Sequence, residues 1–287
     1  MLRRTSLALA LVVACAVPAV AGDVERDRAA LLDGIDALAR PGVPGNLVVF
    51  GDDAFAVVTG GRPAEPVVGA ARAGRGRVVA MAHSGYLAAD ALSVADDSRG
   101  RLLRNAVAWT TGRRRATIGI VGSDPALALA LAALEHEVRD DVADDALRGL
   151  DLVVWKNGAG SAETADAVAD FVRRGGGLIT AACPWGWQQL RARAGLTVRD
   201  DLPENRALRR FGLAYADGTV DATRDGAYAL DLSRPDDAHA GRALRLLVKR
   251  ADGAAERAFL VERALRALPA DDDAFLPAVA KALRGVA

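Results

Sequence analysis

Seven side chains in this 287-residue chain combine a reactive or ligand-binding type with a telling position: His83, Lys156, Asn157, Cys183, Trp185, Trp187 and Gln188. Cys183 follows the apolar run Leu178-Ile179-Thr180-Ala181-Ala182, where a strand of an α/β unit would end and such folds keep their ligand crevice. A thiolate nucleophile there needs an exposed sulfur, a base and N–H donors for an oxyanion. Pro184 comes next and lacks the N–H that the residue after a nucleophile normally supplies, and no small-x-Cys-x-small pattern surrounds the thiol. The plainer role, a small hydrophobe near a core strand, outweighs the catalytic one. His83 leaves another strand candidate, Val78 to Met81, and is the only residue placed to serve Cys183 as a base. The other histidines, His136 and His239, have no ligand pattern beside them, and Glu135-His136-Glu137 lacks the second histidine of a helix-borne zinc site. No metal is expected.

Trp185 and Trp187, with Gln188 beside them, lie at the end of one strand and Lys156-Asn157 at the end of another, so parallel neighbours would bring them to the same edge. Aromatic rings with adjacent amides suit stacking on, and hydrogen bonding to, a sugar or an aromatic ligand. The same rings also make good plugs beneath a helix. Gly175-Gly176-Gly177 runs into a strand, whereas phosphate loops run from a strand into a helix N-terminus. Neither GxGxxG nor GxxxxGK[ST] occurs, so no nucleotide or flavin cofactor is expected.

These residues must be carried by regular elements. Ser161 is placed to cap a helix whose Val168, Phe171 and Val172 share one face, and Arg173 and Arg174 precede the stop at Gly175. The following run to Ala182 reads as a parallel strand buried on both faces. Upstream, Thr117 to Val121 reads as a strand, Asp124-Pro125 as a cap followed by proline at the first helical position, and Leu152 to Trp155 as another buried strand. The order β-α-β-α-β-α-β with short connections predicts right-handed crossovers and a mostly parallel, doubly wound sheet. Earlier still, Val24 to Arg40 carries Leu31, Leu32, Ile35 and Leu38 at helical spacing. Leu47 to Phe50 and Phe55 to Thr59 read as a hairpin around Gly51-Asp52-Asp53, and Pro66 to Ala71 with Val78 to Met81 as a second one. Asp221 to Ala240 reads as irregular, and the stretch from Gly241 onward as a series of helices packed on the preceding sheet.

Arg3 and Arg4 before the apolar run Leu7 to Val13, then Ala19-Val20-Ala21, read as an export signal too short to span a membrane. Val12-Val13-Ala14-Cys15 allows the competing reading of a lipoprotein anchored at Cys15. Removing residues 1–21 leaves one cysteine and no internal disulfide. It also leaves 35 basic against 37 acidic side chains with no basic tract, which excludes a nucleic-acid partner. No later stretch reaches membrane length.

The segments GNLVVFGDDAFAVVTG, AARAGRGRVVAMAHSGYL, RLLRNAVAWTTG, FVRRGGGLITAACPWGW and FGLAYADG resemble the N-terminal half of the TRPM8 channel-associated factors and M60-like peptidase proteins. The resemblance runs from about Asn46 to about Gly218, and more loosely through the helical tail. It implies a class I glutamine amidotransferase-like fold whose glutaminase machinery is not evidently retained. The chain has no HExxH and is expected to stop before the family's zinc peptidase domain, so peptidase activity does not carry over.

The expected organisation is a signal peptide (1–21), an N-terminal α/β or α+β region (22–113), an amidotransferase-like α/β domain (114–235) and a helical C-terminal segment (236–287). The expected function is that of an exported, periplasmic or secreted non-enzymatic binding domain that recognises a glycan, a glycoprotein or another envelope protein. The alternative is a divergent hydrolase using Cys183 with His83. The oligomeric state is not legible.

Overall fold

The computed structural model describes residues 19–231, 235–249 and 252–284. Of the residues 1–21 that carry the export and lipidation expectations, 1–18 with Cys15 lie outside the described residues, and Ala19-Val20-Ala21 opens the first helix. The chain opens with α1 (Ala19–Leu31), β1 (Ala37–Ala39), β2 (Gly45–Val49), β3 (Ala54–Gly60), β4 (Glu65–Ala73), β5 (Gly76–Met81), α2 (Ala89–Ser93) and α3 (Ser98–Thr111). The middle comprises β6 (Thr117–Val121), α4 (Pro125–Ala132), β7 (Glu137–Arg139), β8 (Leu152–Lys156), α5 (Ala162–Arg173), β9 (Gly177–Ala181) and α6 (Pro184–Arg191). Then come α7 (Val198–Asp201), α8 (Pro203–Leu208), β10 (Leu213–Thr219), β11 (Ala227–Ala229), α9 (Ala240–Val248), α10 (Ala254–Ala267) and α11 (Leu276–Arg284).

Seven strands form one sheet in the order β3-β4-β5-β9-β8-β6-β7. The five from β5 to β7 are parallel, and β3 and β4 extend the edge antiparallel. β9 shows why its sequence is a continuous apolar run: Ile179 packs into the cluster beneath α3 and α4, and its neighbour Leu178 into the cluster beneath α5, with both side chains fully buried. A strand covered on both faces has no wet side to mark with polar residues. The α5 start is as expected, a reciprocal capping box in which the Ser161 hydroxyl accepts from Thr164 N–H and the Thr164 hydroxyl from Ser161 N–H. Such a cap contributes about 0.5–2 kcal/mol.

The structure corrects three expectations. The helix expected over 24–40 ends at Leu31. Gly34, at φ +68°, turns the chain, and Leu38 lands on β1, fully buried and paired with Tyr228 of β11. The expected hairpin of Leu47 to Phe50 with Phe55 to Thr59 does not form. β2 pairs antiparallel with β10, Val49 opposite Leu213, while β3 pairs with β4. The reason lies in burial. Leu47 and Val49 face the main sheet and Val48 and Phe50 face the C-terminal helices, so β2 serves as a middle layer. Where β2 and β10 meet, the backbones of Gly51 and Gly212 touch, and a Cβ on Gly212 would lie 2.2 Å from the Gly51 Cα. Lastly, the C-terminal helices pack on the β2/β10 ribbon, through Leu260, Val261, Ala264, Phe275 and Val279, and not on the seven-stranded sheet.

β5 pairs with β9 in parallel register, so residues on both sides of the expected boundary at 113/114 belong to one continuous sheet. The outer end of that sheet is tied to α1 and α3 through Asp27. Its carboxylate accepts two hydrogen bonds from Arg72 of β4 (2.5 and 2.7 Å) and one from the Trp109 indole (3.0 Å). Burial pushes its pKa up, but these donors and the charge on Arg72 hold it below the usual carboxylate range.

Candidate functional site

In an open α/β sheet the loops that diverge to opposite faces leave a crevice at the carboxyl ends of the strands. Two adjacent strand pairs do this here. After β5 the chain goes to α2 and α3 on one face, whereas after β9 it goes to α6 on the other; β6 and β8 diverge in the same way, to α4 and α5. Met81 and Ala181 are register partners, so His83 and Cys183 each stand two residues beyond matched strand ends. The sequence expectation that parallel neighbours carry Lys156-Asn157 and the Trp185 to Gln188 stretch to one edge holds for β8 and β9, where Lys156 is the register partner of Ala181.

The His83 and Cys183 side chains are both engaged by local backbone N–H groups. The Nδ1 of His83 accepts the Gly85 N–H at 3.0 Å, which commits that lone pair and puts the proton of the neutral ring on Nε2. Burial lowers the pKa of His83. Burial likewise pushes the Cys183 thiol up, only partly offset by an N–H from Gly186. Among the described residues no hydrogen bond joins His83 to Cys183.

The crevice between them is covered by the segment 41–45. Val43 C=O accepts the Trp185 indole N–H at 3.0 Å, and Gly45 N–H donates to Ala82 C=O at 2.7 Å. A Cβ on Gly85 would lie 2.6 Å from Pro41, and one on Gly45 2.5 Å from Pro184. The PGVPG stretch, legible only as a helix stop, is thus the cover of the edge.

The second crevice is closed by charge. The Lys156 ammonium pairs with the Asp124 carboxylate, which also caps α4 by accepting Leu127 N–H at 3.1 Å. Burial pushes the Asp124 pKa up, but the Lys156 bond and the cap hold it low. Asn157 sits next to it with its side chain exposed, its φ at +58° and its N–H donated to Ala181 C=O at 3.1 Å.

The two tryptophans divide the roles foreseen for them. Trp187 is 6% exposed and lies under the loop after β8, so close that a Cβ on Gly158 would be 2.4 Å from its Nε1; Arg191 stacks on its ring at 4.8 Å. Trp185 keeps part of its ring in solvent while its N–H is fixed on Val43. Gln188 spends its side-chain oxygen on Val198 N–H at 3.1 Å, and Gln189, next along α6, is exposed.

One group at this edge escaped the sequence reading. Glu204 at the start of α8 is fully buried; its Oε1 accepts Gly158 N–H at 2.6 Å and its Oε2 has no partner. Burial pushes its pKa up to about 7. The only local hint is Pro203-Glu204 at a helix start, a pattern that normally marks a solvated first turn. Among the described residues no three His, Cys, Asp or Glu side chains converge on a metal position, and no helix is long and apolar enough to cross a membrane.

Residues 7–230 match the family model described as "TRPM8, N-terminal domain". TRPM8 channel-associated factor 2 of Bos taurus is 33% identical over 203 residues, covering 69% of this chain and 20% of the relative. A TRPM8 channel-associated factor homolog of Danio rerio is 28% identical over 208 residues, covering 70% and 21%. The chain therefore spans about a fifth of the length of these relatives. Among solved structures, IMPa from Pseudomonas aeruginosa in complex with an O-glycopeptide superposes with a TM-score of 0.53 at 17% identity, over 84% of this chain and 28% of that one. The IMPa metallopeptidase of the same organism gives 0.52 over 84% and 27%.

Proposed function

Since the chain belongs to the TRPM8 channel-associated factor N-terminal domain family, we propose that it is an exported, non-catalytic recognition module that holds a glycan or glycoprotein at the carboxyl edge of its sheet. The observation that carries this reading is the state of Trp185. Its indole N–H is pinned on Val43 C=O and its ring is partly open to solvent beside the exposed Gln189. A ring already fixed in place loses little freedom when a sugar stacks on it. His83, whose one ring lone pair is taken by the Gly85 N–H, and the half-buried Cys183, whose thiol pKa is pushed up by burial, argue against the hydrolase alternative, because that reading needs a free acceptor nitrogen beside a readily formed thiolate. The O-glycopeptide bound by IMPa, a protein of like fold, suggests the ligand class.

The test is binding to immobilised O-glycopeptides and their unglycosylated counterparts, with wild type, Trp185→Ala and Cys183→Ala. Selective retention of the glycosylated forms, lost in Trp185→Ala and kept in Cys183→Ala, is the expected result. Equal binding by wild type and Trp185→Ala removes this surface from consideration.

A further inference from the structure

The opposite edge of the sheet, at the amino ends of β5 and β9, carries a second concavity. A groove of about 500 Å³ lies between the β2–β3 turn, the end of β4, the last turn of α5 and the helices α9 and α11. Arg72, Arg173, Arg209, Arg210 and Arg245 line it together with the carboxylates of Asp52 and Asp53. Four of these guanidinium groups rest on a carboxylate. Arg72 binds Asp27 (2.5 Å), Arg245 binds Asp52 (2.9 Å), Arg173 touches Asp170 (3.4 Å), and Arg210 pairs with Asp166.

Arg209 differs. Its hydrogen bond is a single long one, from Nη1 to the Arg199 carbonyl at 3.3 Å, and among the described residues no carboxylate lies within ion-pair distance of it. It is half-buried, and burial lowers its pKa, partly offset by the charges of Asp271, Asp272 and Asp200, none of them within ion-pair distance. A cation drawn partly out of water with no contact anion is unfavourable unless something of opposite charge meets it. The rest of the groove suits such a guest. Gly51, Gly74, Gly212 and Gly241 present bare backbone at its walls, and Gly241 lies in the first turn of α9, whose dipole favours negative charge.

We propose that this groove is a binding site for a compact tetrahedral oxyanion, a phosphate or sulfate ester group, with Arg209 as its principal ligand and Arg245 and Arg173 closing on it from the rim. The guanidinium fork matches two oxygens of such a group at once. Because the groove lies at the edge opposite Trp185, the assignment is independent of the glycan reading, and Trp185→Ala leaves it unaltered.

Calorimetric titration of the full chain with sodium phosphate and with sodium sulfate, at ionic strength held constant with chloride, tests the site. Titrations with a hexose 6-phosphate and a hexose 6-sulfate then identify the source of the ester. Saturable binding beyond the chloride background is expected, weakened about tenfold or more in Arg209→Gln and retained in Arg206→Gln, an exposed arginine outside the groove. If Arg209→Gln proves unstable in chloride, Arg245→Gln, altered at an exposed side chain, reads the same loss. Absence of saturable binding by every one of the four probes, or binding unchanged in both groove variants, overturns the assignment.

Discussion

Replacing Glu204 by glutamine is expected to reveal a pH dependence that the native chain conceals. Glu204 is fully buried with Oε2 unpartnered, and burial pushes its pKa from 4.5 up to about 7. The folded state therefore keeps a proton that the unfolded state releases. Its contribution to stability is greatest below pH 4.5, is lost as pH rises toward 7, and amounts to roughly 3 kcal/mol over that interval. His239 works in the opposite direction. It is 2% exposed, its Nδ1 accepts Arg242 N–H at 3.2 Å and its Nε2 faces Gly51 C=O at 3.0 Å, so both nitrogens are satisfied in the neutral ring. Burial lowers its pKa from 6.5 to about 4. Between those values the unfolded state takes up a proton that the folded state refuses, and stability falls as pH falls, again by roughly 3 kcal/mol. The two slopes overlap from 4.5 to 6.5 and nearly cancel. Glu204→Gln removes the opposing slope, so the unfolding free energy of wild type minus that of the variant should fall by about 3 kcal/mol as pH rises from 4.5 to 7. Urea unfolding followed by circular dichroism at half-unit steps from pH 4 to 8 measures it. The wild-type-minus-variant difference isolates Glu204, because the carboxylates with lowered pKa values, such as Asp27 and Asp97, are common to both. A difference that does not change between pH 4.5 and 7 would falsify the assignment of a buried, proton-binding carboxyl at this position.

Three further outcomes follow from the same geometry. Trp187→Ala, at a buried ring under the loop after β8, should cost about 3–5 kcal/mol in chemical denaturation, whereas Trp185→Ala should stay within about 1 kcal/mol of wild type. Cys183 should react with iodoacetamide at pH 7.5 more slowly than a free small-molecule thiol, and His83→Ala should leave that rate unchanged; acceleration by the native histidine would restore the hydrolase reading. Gly212→Ala places a Cβ 2.2 Å from the Gly51 Cα at φ +73° and should lower stability by about 2 kcal/mol or more, with early loss of amide protection in β2 and β10.

The local features were readable because each rests on a few neighbouring residues. Ser161 and Asp124 cap the helices they were expected to cap, the β4–β5 hairpin forms around Gly74, and β9 is the doubly buried strand that its apolar run implied. The adjacent exits of Lys156 and Cys183 were also within reach, since short α/β connections favour parallel neighbours, whereas the pairing of β5 with β9 that brings His83 to the same edge crosses the expected boundary at 113/114. The partner of β2 was not. The run Leu47 to Phe50 states that a strand is buried, and nothing in it distinguishes the nearby β3 from the distant β10. A turn composition at Gly51 to Asp53 favoured the nearer choice, whereas packing of Val48 and Phe50 against the C-terminal helices selected the farther one.

For this chain, then, residue order alone determined the parallel α/β framework, its caps and the edge at which polar and aromatic groups gather, because periodicity and turn chemistry act over a few residues. The protonation and exposure of those groups were decided by the tertiary structure. The cover at 41–45, the tautomer of His83, the anchoring of Trp187 against Gly158, the burial of Glu204 and the unpaired Arg209 each depend on segments far apart in sequence that meet only in the folded chain. Desolvation and contact geometry exist only after that meeting, and they separate an edge that can bind from one that can react.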